Sequence, residues 1–211
     1  MPLSEVGMSS RGNPAETRRR ILDAALDFFQ RGEVDASMQA ITKAAGFSRQ
    51  TLYLNFADRG AFYVAVVERA GERFHFSEEY AKVERAPNGI AVLEAMVDMV
   101  ARICRLIKPI AYALDILRNK DDAVEKARQK QVDGRIAACQ AVAARLAAEG
   151  LLRRDITVKA AADTLWLMTS FHTWDDLVNT RKWTTTQYQD FLKHALITAL
   201  ITPGKGKVPR A

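Results

Sequence analysis

A cluster of hydrogen-bonding side chains follows Gly46 in the segment AAGFSRQTLYLNF, residues 44–56. Its polar members are Ser48, Arg49, Gln50, Thr51, Tyr53 and Asn55. An arginine can bind the edge of a guanine through two hydrogen bonds, and a glutamine can bind an adenine in the same way. Hydroxyl and amide groups suit the oxygens of the phosphate backbone. These residue types therefore indicate contacts with double-stranded DNA.

The surrounding pattern places this cluster on the second helix of a helix-turn-helix unit. Ser37 is suited to cap a short first helix, and Ser48 is suited to cap the next. Gly46 provides a turn residue that has no Cβ to clash. Leu52 and Phe56, four residues apart, supply the apolar inner face of the second helix. In DNA-binding versions of this unit, the second helix enters the major groove and its first residues contact base edges.

A simpler interpretation of the same residues is available. Gly46 would then be an ordinary helix C-cap and the polar cluster a solvated face, because short helix-turn-helix matches arise by chance. Charge does not decide between the two interpretations. Residues 1–60 contain 8 basic and 7 acidic side chains, so most of the formal net charge of +6 lies further along the chain.

The region from residue 17 to residue 68 resembles the N-terminal domain of the TetR/AcrR family of transcriptional regulators. The matching stretches, in the order and spacing of the family, are TRRRILDAALDFFQRG, ITKAAGFSRQTLYLNFADR and AFYVAVVE. They include the most specific pattern of the family, which is Ala-Gly-hydrophobic-Ser followed by Leu-Tyr and then Phe. The resemblance implies a three-helix DNA-binding domain joined to a larger helical domain. That larger domain binds a small molecule and forms the dimer.

The resemblance also implies roles for individual residues. The base-contacting positions of the family correspond to Arg49, Gln50 and Thr51. Tyr53 corresponds to a position that grips a phosphate, while Ser37 and Arg59 correspond to helix starts that contact the DNA backbone. The full set of candidate DNA-binding residues is Ser37, Ser48, Arg49, Gln50, Thr51, Tyr53, Leu54, Asn55 and Arg59.

The chain departs from the common family pattern at three positions. Thr42 stands where alanine is common and brings a hydroxyl near the junction of the two helices. Arg59 replaces a lysine and keeps its positive charge, so it can still bind phosphate. Gly60 replaces a glutamate and predicts a weaker start to the next helix, by roughly 1 kcal/mol relative to alanine. A looser link between this helix and the rest of the chain is the expected consequence.

Helical periodicity continues along the rest of the chain, without strand-like alternation of useful length. We therefore predict an all-α fold of about nine helices. The later helices are expected at 59–83, 90–107, 109–119, 121–149, 157–181 and 186–201. The expected division is a flexible arm at 1–14, a helix-turn-helix DNA-binding domain at 15–60, a helical regulatory and dimerisation domain at 61–202 and a flexible tail at 203–211.

Apolar residues cover more than one side of the predicted helix 157–181, so this helix must bury two faces. The resemblance implies that it forms a four-helix dimer interface together with the last helix and their symmetry mates. The candidate interface residues are Phe171, Trp174, Tyr188, Leu192, Ala195, Leu196 and Ala199. The alternative is that 157–181 is the central helix of a monomeric bundle.

Two apolar stripes run along the predicted helix 90–107, and one of them could line a cavity while the other packs on the scaffold. Methionine and aromatic side chains suit adaptable apolar sites. The candidate pocket residues are Met96, Met99, Ile103, Tyr112, Trp166 and Ser170. Such a lining favours a hydrophobic or aromatic effector. The alternative is that these residues form ordinary core.

Other classes of protein fit the sequence poorly. Cys104 and Cys139 lie within apolar helical patterns, which indicates buried thiols in a reducing compartment. The three histidines form no metal-ligand spacing, and neither a nucleophile elbow, a P-loop nor a dinucleotide fingerprint is present, so we expect no metal, cofactor or enzymatic activity. The chain contains neither a signal peptide nor an apolar run of membrane-spanning length, which predicts a cytoplasmic protein.

Together these patterns predict a homodimeric regulator, a repressor that binds a near-palindromic operator and is released by a small effector. One alternative is an all-α interaction adaptor that retains the helix-turn-helix without specific DNA binding. The other is a helical-bundle enzyme.

Overall fold

The computed structural model describes residues 13–33, 36–119 and 122–204. Within these ranges the helices are α1 (Pro14–Gln30), α2 (Met38–Ala44), α3 (Arg49–Asn55), α4 (Arg59–Arg73), α5 (Phe76–Glu84), α6 (Gly89–Arg118), α7 (Asp122–Ala148), α8 (Val158–Met168), α9 (Phe171–Asp175) and α10 (Thr185–Leu200), with a π-helical turn at Asp176–Thr180. No strand occurs in these ranges, and the predicted all-α class is confirmed. Most of the predicted arm and tail lies outside the described residues. None of the described helices is long and apolar enough to cross a membrane.

The first four helices share one hydrophobic core, the head core. Its largest fully buried side chains are Ile21, Leu26, Phe29, Ile41, Leu52, Phe56, Phe62 and Tyr63. Phe56, the residue that follows α3, packs edge-on against Phe62 of α4 with 5.0 Å between ring centroids. This packing sets the position of α3 on the surface of the head.

A second core, the body core, lies between α6, α7, α8 and α10. Fully buried members include Leu93, Leu146, Leu165, Tyr188, Leu192 and Leu196. At one end, the carboxylate of Glu149 accepts a 2.7 Å hydrogen bond from the backbone N–H of Gly89. The guanidinium of Arg145 donates to the carbonyl of Ala86 at 2.9 Å. These contacts hold the start of α6 against the end of α7.

Helix α6 runs unbroken through Pro109, where the sequence predicted a break. A proline inside a helix removes one hydrogen bond and costs roughly 3 kcal/mol. The turns that follow bury Ile110, Ala113 and Leu117 in the head core. Tertiary packing of this apolar face outweighs the local cost, as it does for most helices in proteins.

Two segments that were predicted as single helices are each divided. The segment 59–83 breaks between α4 and α5, where His75 adopts a left-handed conformation with φ of 55°. The segment 157–181 breaks after α8. The hydroxyl of Ser170 then accepts a 3.0 Å hydrogen bond from the N–H of Thr173 and so starts α9. Helical periodicity alone does not reveal these breaks, because the apolar pattern continues across them.

The head core extends past residue 60, through α4 and into parts of α6 and α7. Gly60 is buried where α4 begins, and a Cβ at this position would lie 2.5 Å from the carbonyl oxygen of Ala123 on α7. The glycine therefore permits a close approach of the two helices. Whereas the sequence predicted that Gly60 loosens the link between α4 and the rest of the chain, the packing makes it a point of tight contact.

Candidate nucleic-acid interface and cavity

Helices α2 and α3 form the helix-turn-helix unit that the sequence predicted. The hydroxyl of Ser37 accepts from the N–H of Ala40 at 3.1 Å, and the hydroxyl of Ser48 accepts from the N–H of Thr51 at 3.2 Å. Gly46 has a φ of +84°, in the left-handed region that favours glycine. Both predicted serine caps and the turn glycine are therefore in place.

The outer face of α3 is accessible. Leu52 is buried beneath it, while Arg49 and Gln50 at the start of the helix are exposed. Tyr53 and Leu54 are 56% and 78% exposed. The guanidinium of Arg49 lies 5.6 Å from the centroid of the Tyr53 ring. These four exposed side chains can meet an external partner without any rearrangement of the helix.

Thr51 and Asn55 are less available than their residue types suggested. The Oγ1 of Thr51 lies 3.0 Å from the Oγ of Ser48, within the cap of α3. The amide of Asn55 donates to the carbonyl of Thr51 at 2.8 Å. Both side chains are half-buried. This bond uses one of the two N–H donors of the Asn55 amide, so a single donor remains for a phosphate.

Three residues with expected roles at the DNA backbone meet at one groove. Ser37, Tyr53 and Arg59 line this groove, which has a volume of about 330 Å³. Asp58 also lines it and accepts a 2.7 Å hydrogen bond from the N–H of Ala61, so that it caps α4. The starts of α2 and α4 thus open on the same groove, and helix N-termini favour anions.

Two arginines of α1 hold the unit in place, and the sequence analysis did not identify them. Arg18 donates to the carbonyl of Asn55 at 2.6 Å, and its guanidinium lies 4.4 Å from the centroid of the Phe56 ring. Arg20 donates to the carbonyl of Ala45 at 3.0 Å. These bonds satisfy carbonyls at the ends of α3 and α2, which have no partner inside their own helices. In the sequence, a run of arginines on an amphipathic helix is typical of a solvated face.

Helices α2 and α3 and the turn between them carry basic but no acidic side chains, even though residues 1–60 as a whole are almost neutral. Residues 36–57 include Lys43 and Arg49 but no aspartate or glutamate. Two acids of α1 instead pair with α4: Asp23 with Arg69 at 2.8 Å, and Asp27 with Arg73 at 2.9 Å. The helix-turn-helix unit itself therefore has a net positive charge, which suits a polyanion.

A cavity of about 200 Å³ lies between α4, α6, α7 and α9. Its apolar lining consists of Val67, Ala70, Ile107, Ile110, Ala111, Leu114, Val132 and Phe171. Its polar lining consists of Asp115, Arg128, Gln131, Arg135 and His172. The cavity therefore touches both the body and α4, the helix whose first residue lines the groove at α3.

None of the six residues predicted to share a pocket lines this cavity. Met96 and Met99 are buried in the body core, and Ile103 packs partly buried against it. The reason is the path of α6, which packs on the body core in its first half and reaches the head core in its second half. Side chains near 107–114, rather than those near 96–103, face the space between the two cores.

The other three predicted pocket residues are dispersed as well. Tyr112 donates to the carboxylate of Asp175 at 2.6 Å and lines a separate cleft beside Phe29. Trp166 lines a shallow pocket between α7 and α8. Ser170 forms the cap of α9. These positions lie on different elements, and the sequence offered no information on how those elements are oriented.

The residues predicted for the dimer interface divide between surface and interior. Trp174, Tyr188, Leu192 and Leu196 are buried in the body core of their own chain and offer no surface to a second copy. Ala195 and Ala199 are half-buried, and Phe171 lines the cavity. The large apolar side chains that α8 and α10 do expose include Leu167 and Phe191, which are 63% and 48% exposed.

Comparisons with known proteins match this geometry. Residues 21–66 match the family model described as bacterial regulatory proteins, tetR family. A SmeT–triclosan complex has the same fold, with 19% identity, a TM-score of 0.69 and coverage of 93% of this chain and 98% of that one. A putative transcriptional regulator from Saccharomonospora viridis in complex with choline aligns with 15% identity, a TM-score of 0.72 and coverage of 89% and 99%. NalD, the secondary repressor of the MexAB-OprM multidrug efflux pump in Pseudomonas aeruginosa, aligns with 19% identity, a TM-score of 0.64 and coverage of 90% and 100%. The comparison with curated proteins returned no match.

Proposed function

We propose that this chain, a member of the TetR family of transcriptional regulators, is a repressor that a small ligand releases from DNA. Family membership and a general role as a DNA-binding regulator are the premises. The proposal adds repressor action, a homodimer on a near-palindromic operator, action in the cytoplasm and control by an effector in the cavity. The family whose model matches the N-terminal residues is one of regulators, and the proposal assigns no catalytic step.

In this proposal α3 reads the operator. Arg49 and Gln50 contact base edges, because both are exposed at the N-terminal end of the helix that enters the major groove. Ser37, Tyr53 and Arg59 contact phosphates from the groove that they line together. Two subunits would place two copies of α3 on the half-sites of the operator.

The observation that carries the proposal is the position of α4. Arg59 at its start lines the groove beside α3, while Val67 and Ala70 line the cavity. At a rise of about 1.5 Å per residue, the helix spans about 17 Å from Arg59 to Ala70. A ligand that pushes on Val67 or Ala70 therefore moves a helix whose first residue lies at the DNA-binding surface.

The thermodynamic requirement for release is modest. The effector must bind the DNA-incompetent arrangement of the two heads more tightly, by ~1–3 kcal/mol, for useful control. Among the structurally similar proteins, one is a triclosan complex, one is a choline complex and one is named a repressor. Two of these neighbours are thus structures with a small molecule bound, which supports control of this chain by a small ligand.

Specific DNA binding is the direct test. The purified protein is titrated, at physiological salt, against DNA from beside its own gene and against random-sequence DNA of equal length, with fluorescence anisotropy as the readout. We expect binding to the adjacent DNA to be tighter by at least ~1,000-fold, the usual lower range for specific sites. Equal affinity for both DNAs would refute the regulator proposal.

The adaptor alternative has one observation in its favour. Tyr53 and Leu54 form a pair of exposed apolar side chains on α3, and such pairs suit a protein partner as well as a thymine methyl group. The same titration separates the two functions, because an adaptor would bind both DNAs weakly and with equal affinity.

A further inference from the structure

We propose that the effector carries an anionic group, a carboxylate, which binds the guanidinium of Arg135 at the α7 wall of the cavity. This inference rests on the proposed function in so far as it calls the ligand an effector. It concerns the chemical class of that ligand, which the sequence analysis described only as hydrophobic or aromatic.

The α7 wall of the cavity is polar and basic. Arg128, Gln131, Val132 and Arg135 line it. The last three follow Arg128 by three, four and seven residues, which places all four side chains on one side of the helix. The opposite wall, from α4, α6 and α9, is mainly apolar. A ligand that complements both walls has an apolar part that packs on α4, α6 and α9 and a negatively charged end that faces α7.

Arg135 is the cation on this wall whose charge is not compensated. Arg128 has a carboxylate partner, Glu125, at 3.4 Å. Among the described residues no carboxylate pairs with Arg135; its guanidinium donates to the carbonyl of Trp166 and lies 5.0 Å from the centroid of that ring. A guanidinium has five N–H donors, so this contact leaves several donors for a ligand.

The partly buried environment of Arg135 also favours an anionic partner. The side chain is half-buried, and burial lowers the pKa of its guanidinium from the ordinary value. A buried charge is costly unless it is paired with an opposite charge. A carboxylate offers planar, two-point geometry that matches a guanidinium, and such pairs form short, strong hydrogen bonds.

The acid in the cavity does not compensate for Arg135. Asp115 lies 3.3 Å from the Nε of Arg118 and 3.8 Å from the Nε2 of His172. A cationic ligand at Asp115 would therefore meet two basic side chains beside the carboxylate. The arrangement favours an anion at Arg135 over a cation at Asp115.

The volume of the cavity limits the size of the ligand. Its volume is about 200 Å³. This is space for about seven water molecules at roughly 30 Å³ each. A single ring with a short carboxylate arm has suitable dimensions, and its ring would pack between Phe171 and Ile110.

The test uses three probes of the same shape and different charge: phenylacetate, its neutral analogue 2-phenylacetamide and the cationic phenethylamine. Their affinities for the full-length protein are measured by isothermal titration calorimetry. We expect phenylacetate to bind about tenfold or more tightly than the other two, which corresponds to a good charge-assisted contact. Equal binding of the amide or the amine, or no binding of phenylacetate at millimolar concentration, would overturn the inference.

Substitutions of Arg135 test whether this residue binds the anionic group of the ligand. Arg135→Gln removes the charge but keeps a donor for the carbonyl of Trp166, and we expect it to lose the preference for phenylacetate over the amide. Arg135→Lys should keep part of that preference. The matched control is Arg154→Gln, the same change at an exposed position that does not line the cavity. An unchanged preference in a folded Arg135→Gln protein would overturn the assignment to Arg135. If Arg135→Gln fails to fold, the three-probe comparison in the unaltered protein still decides the charge of the ligand.

The DNA titration separates this inference from the proposed function. Phenylacetate binding without specific DNA binding would uphold the anion site and refute the repressor. Specific DNA binding without a preference for the anionic probe would refute the anion site and uphold the regulator. Release of the DNA by phenylacetate would support both.

Discussion

Side chains on α3 divide into those that build the helix and those that remain available to a partner. Thr51 and Asn55 are engaged in hydrogen bonds within the unit. Arg49 and Gln50 are exposed where the helix begins, and Tyr53 lines the groove shared with the starts of α2 and α4. This division supports the proposal that the first pair recognises bases and that the tyrosine binds phosphate.

The first prediction concerns Arg49. Replacing it with alanine should reduce discrimination at one base pair of the operator by ~1–3 kcal/mol, because a bidentate arginine–guanine contact is lost. The measurement is the affinity for a series of operators that carry single-base changes.

Tyr53→Phe is the contrasting variant. It removes only a hydroxyl that we assign to a phosphate, so it should weaken binding to every operator about equally. A change of base preference in Tyr53→Phe, with no change in Arg49→Ala, would reverse the two roles.

At the scale of elements, α4 links the DNA-binding head to the cavity. At the start of α4, Gly60 lies close to the backbone of α7. Further along the helix, Val67 and Ala70 line the cavity. Arg69 and Arg73, near the end of α4, pair with acidic residues of α1. In the proposed mechanism, a ligand in the cavity therefore moves α4 as one rigid element.

The second prediction is that Gly60→Ala lowers the free energy of unfolding, by up to about 2 kcal/mol. The substitution gains roughly 1 kcal/mol in helix propensity. It also forces a Cβ toward the carbonyl of Ala123 at 2.5 Å, and this overpacking costs typically 1–3 kcal/mol or more because the neighbour is backbone. Urea denaturation measures the change.

Gly134→Ala in α7 is the matched control for Gly60→Ala. A Cβ at Gly134 would meet no atom within 4 Å, so the variant should be more stable than the original protein by about 0.4–1 kcal/mol. If both alanine variants were stabilised to the same extent, the close approach of α4 and α7 would not constrain the protein.

At the scale of the whole molecule, the proposed homodimer needs a surface, and burial decides which residues form it. Helices α8 and α10 turn their larger aromatic and leucine faces into their own body core. Among the described residues, the exposed large apolar side chains of these two helices are Val158, Leu167 and Phe191. We propose that the interface between subunits includes Leu167 and Phe191.

The third prediction is that Leu167→Glu combined with Phe191→Glu converts the dimer to a monomer, since two buried carboxylates without partners are costly at an interface. Sedimentation velocity measures the oligomeric state. Leu54→Glu, at a leucine on α3 that is more exposed than Leu167, should remain dimeric. A doubly substituted protein that stayed dimeric would place the interface elsewhere.

The sequence by itself determined the helix-turn-helix unit and the all-α class. Ser37, Ser48 and Gly46 act on backbone groups within a few residues of themselves, so their caps and the turn follow from local chemistry. The same holds for the buried Leu52 and Phe56 of α3, whose spacing alone sets them on one face. Family resemblance then added the roles of the exposed residues, which remain predictions.

Only the tertiary structure decided which faces of the apolar helices are interior. Tyr188 and Leu192 follow the helical periodicity that is expected of interface residues, yet they are buried in their own chain. Leu167, in contrast, is exposed. In the same way, tertiary packing keeps α6 helical through Pro109. It also places the cavity beside Ile110, and not beside Met96 and Met99 as the sequence predicted. The physical reason is that capping and turns depend on near neighbours, whereas the partner of an apolar face, or of Arg18 and Arg135, is supplied by residues far away in the chain.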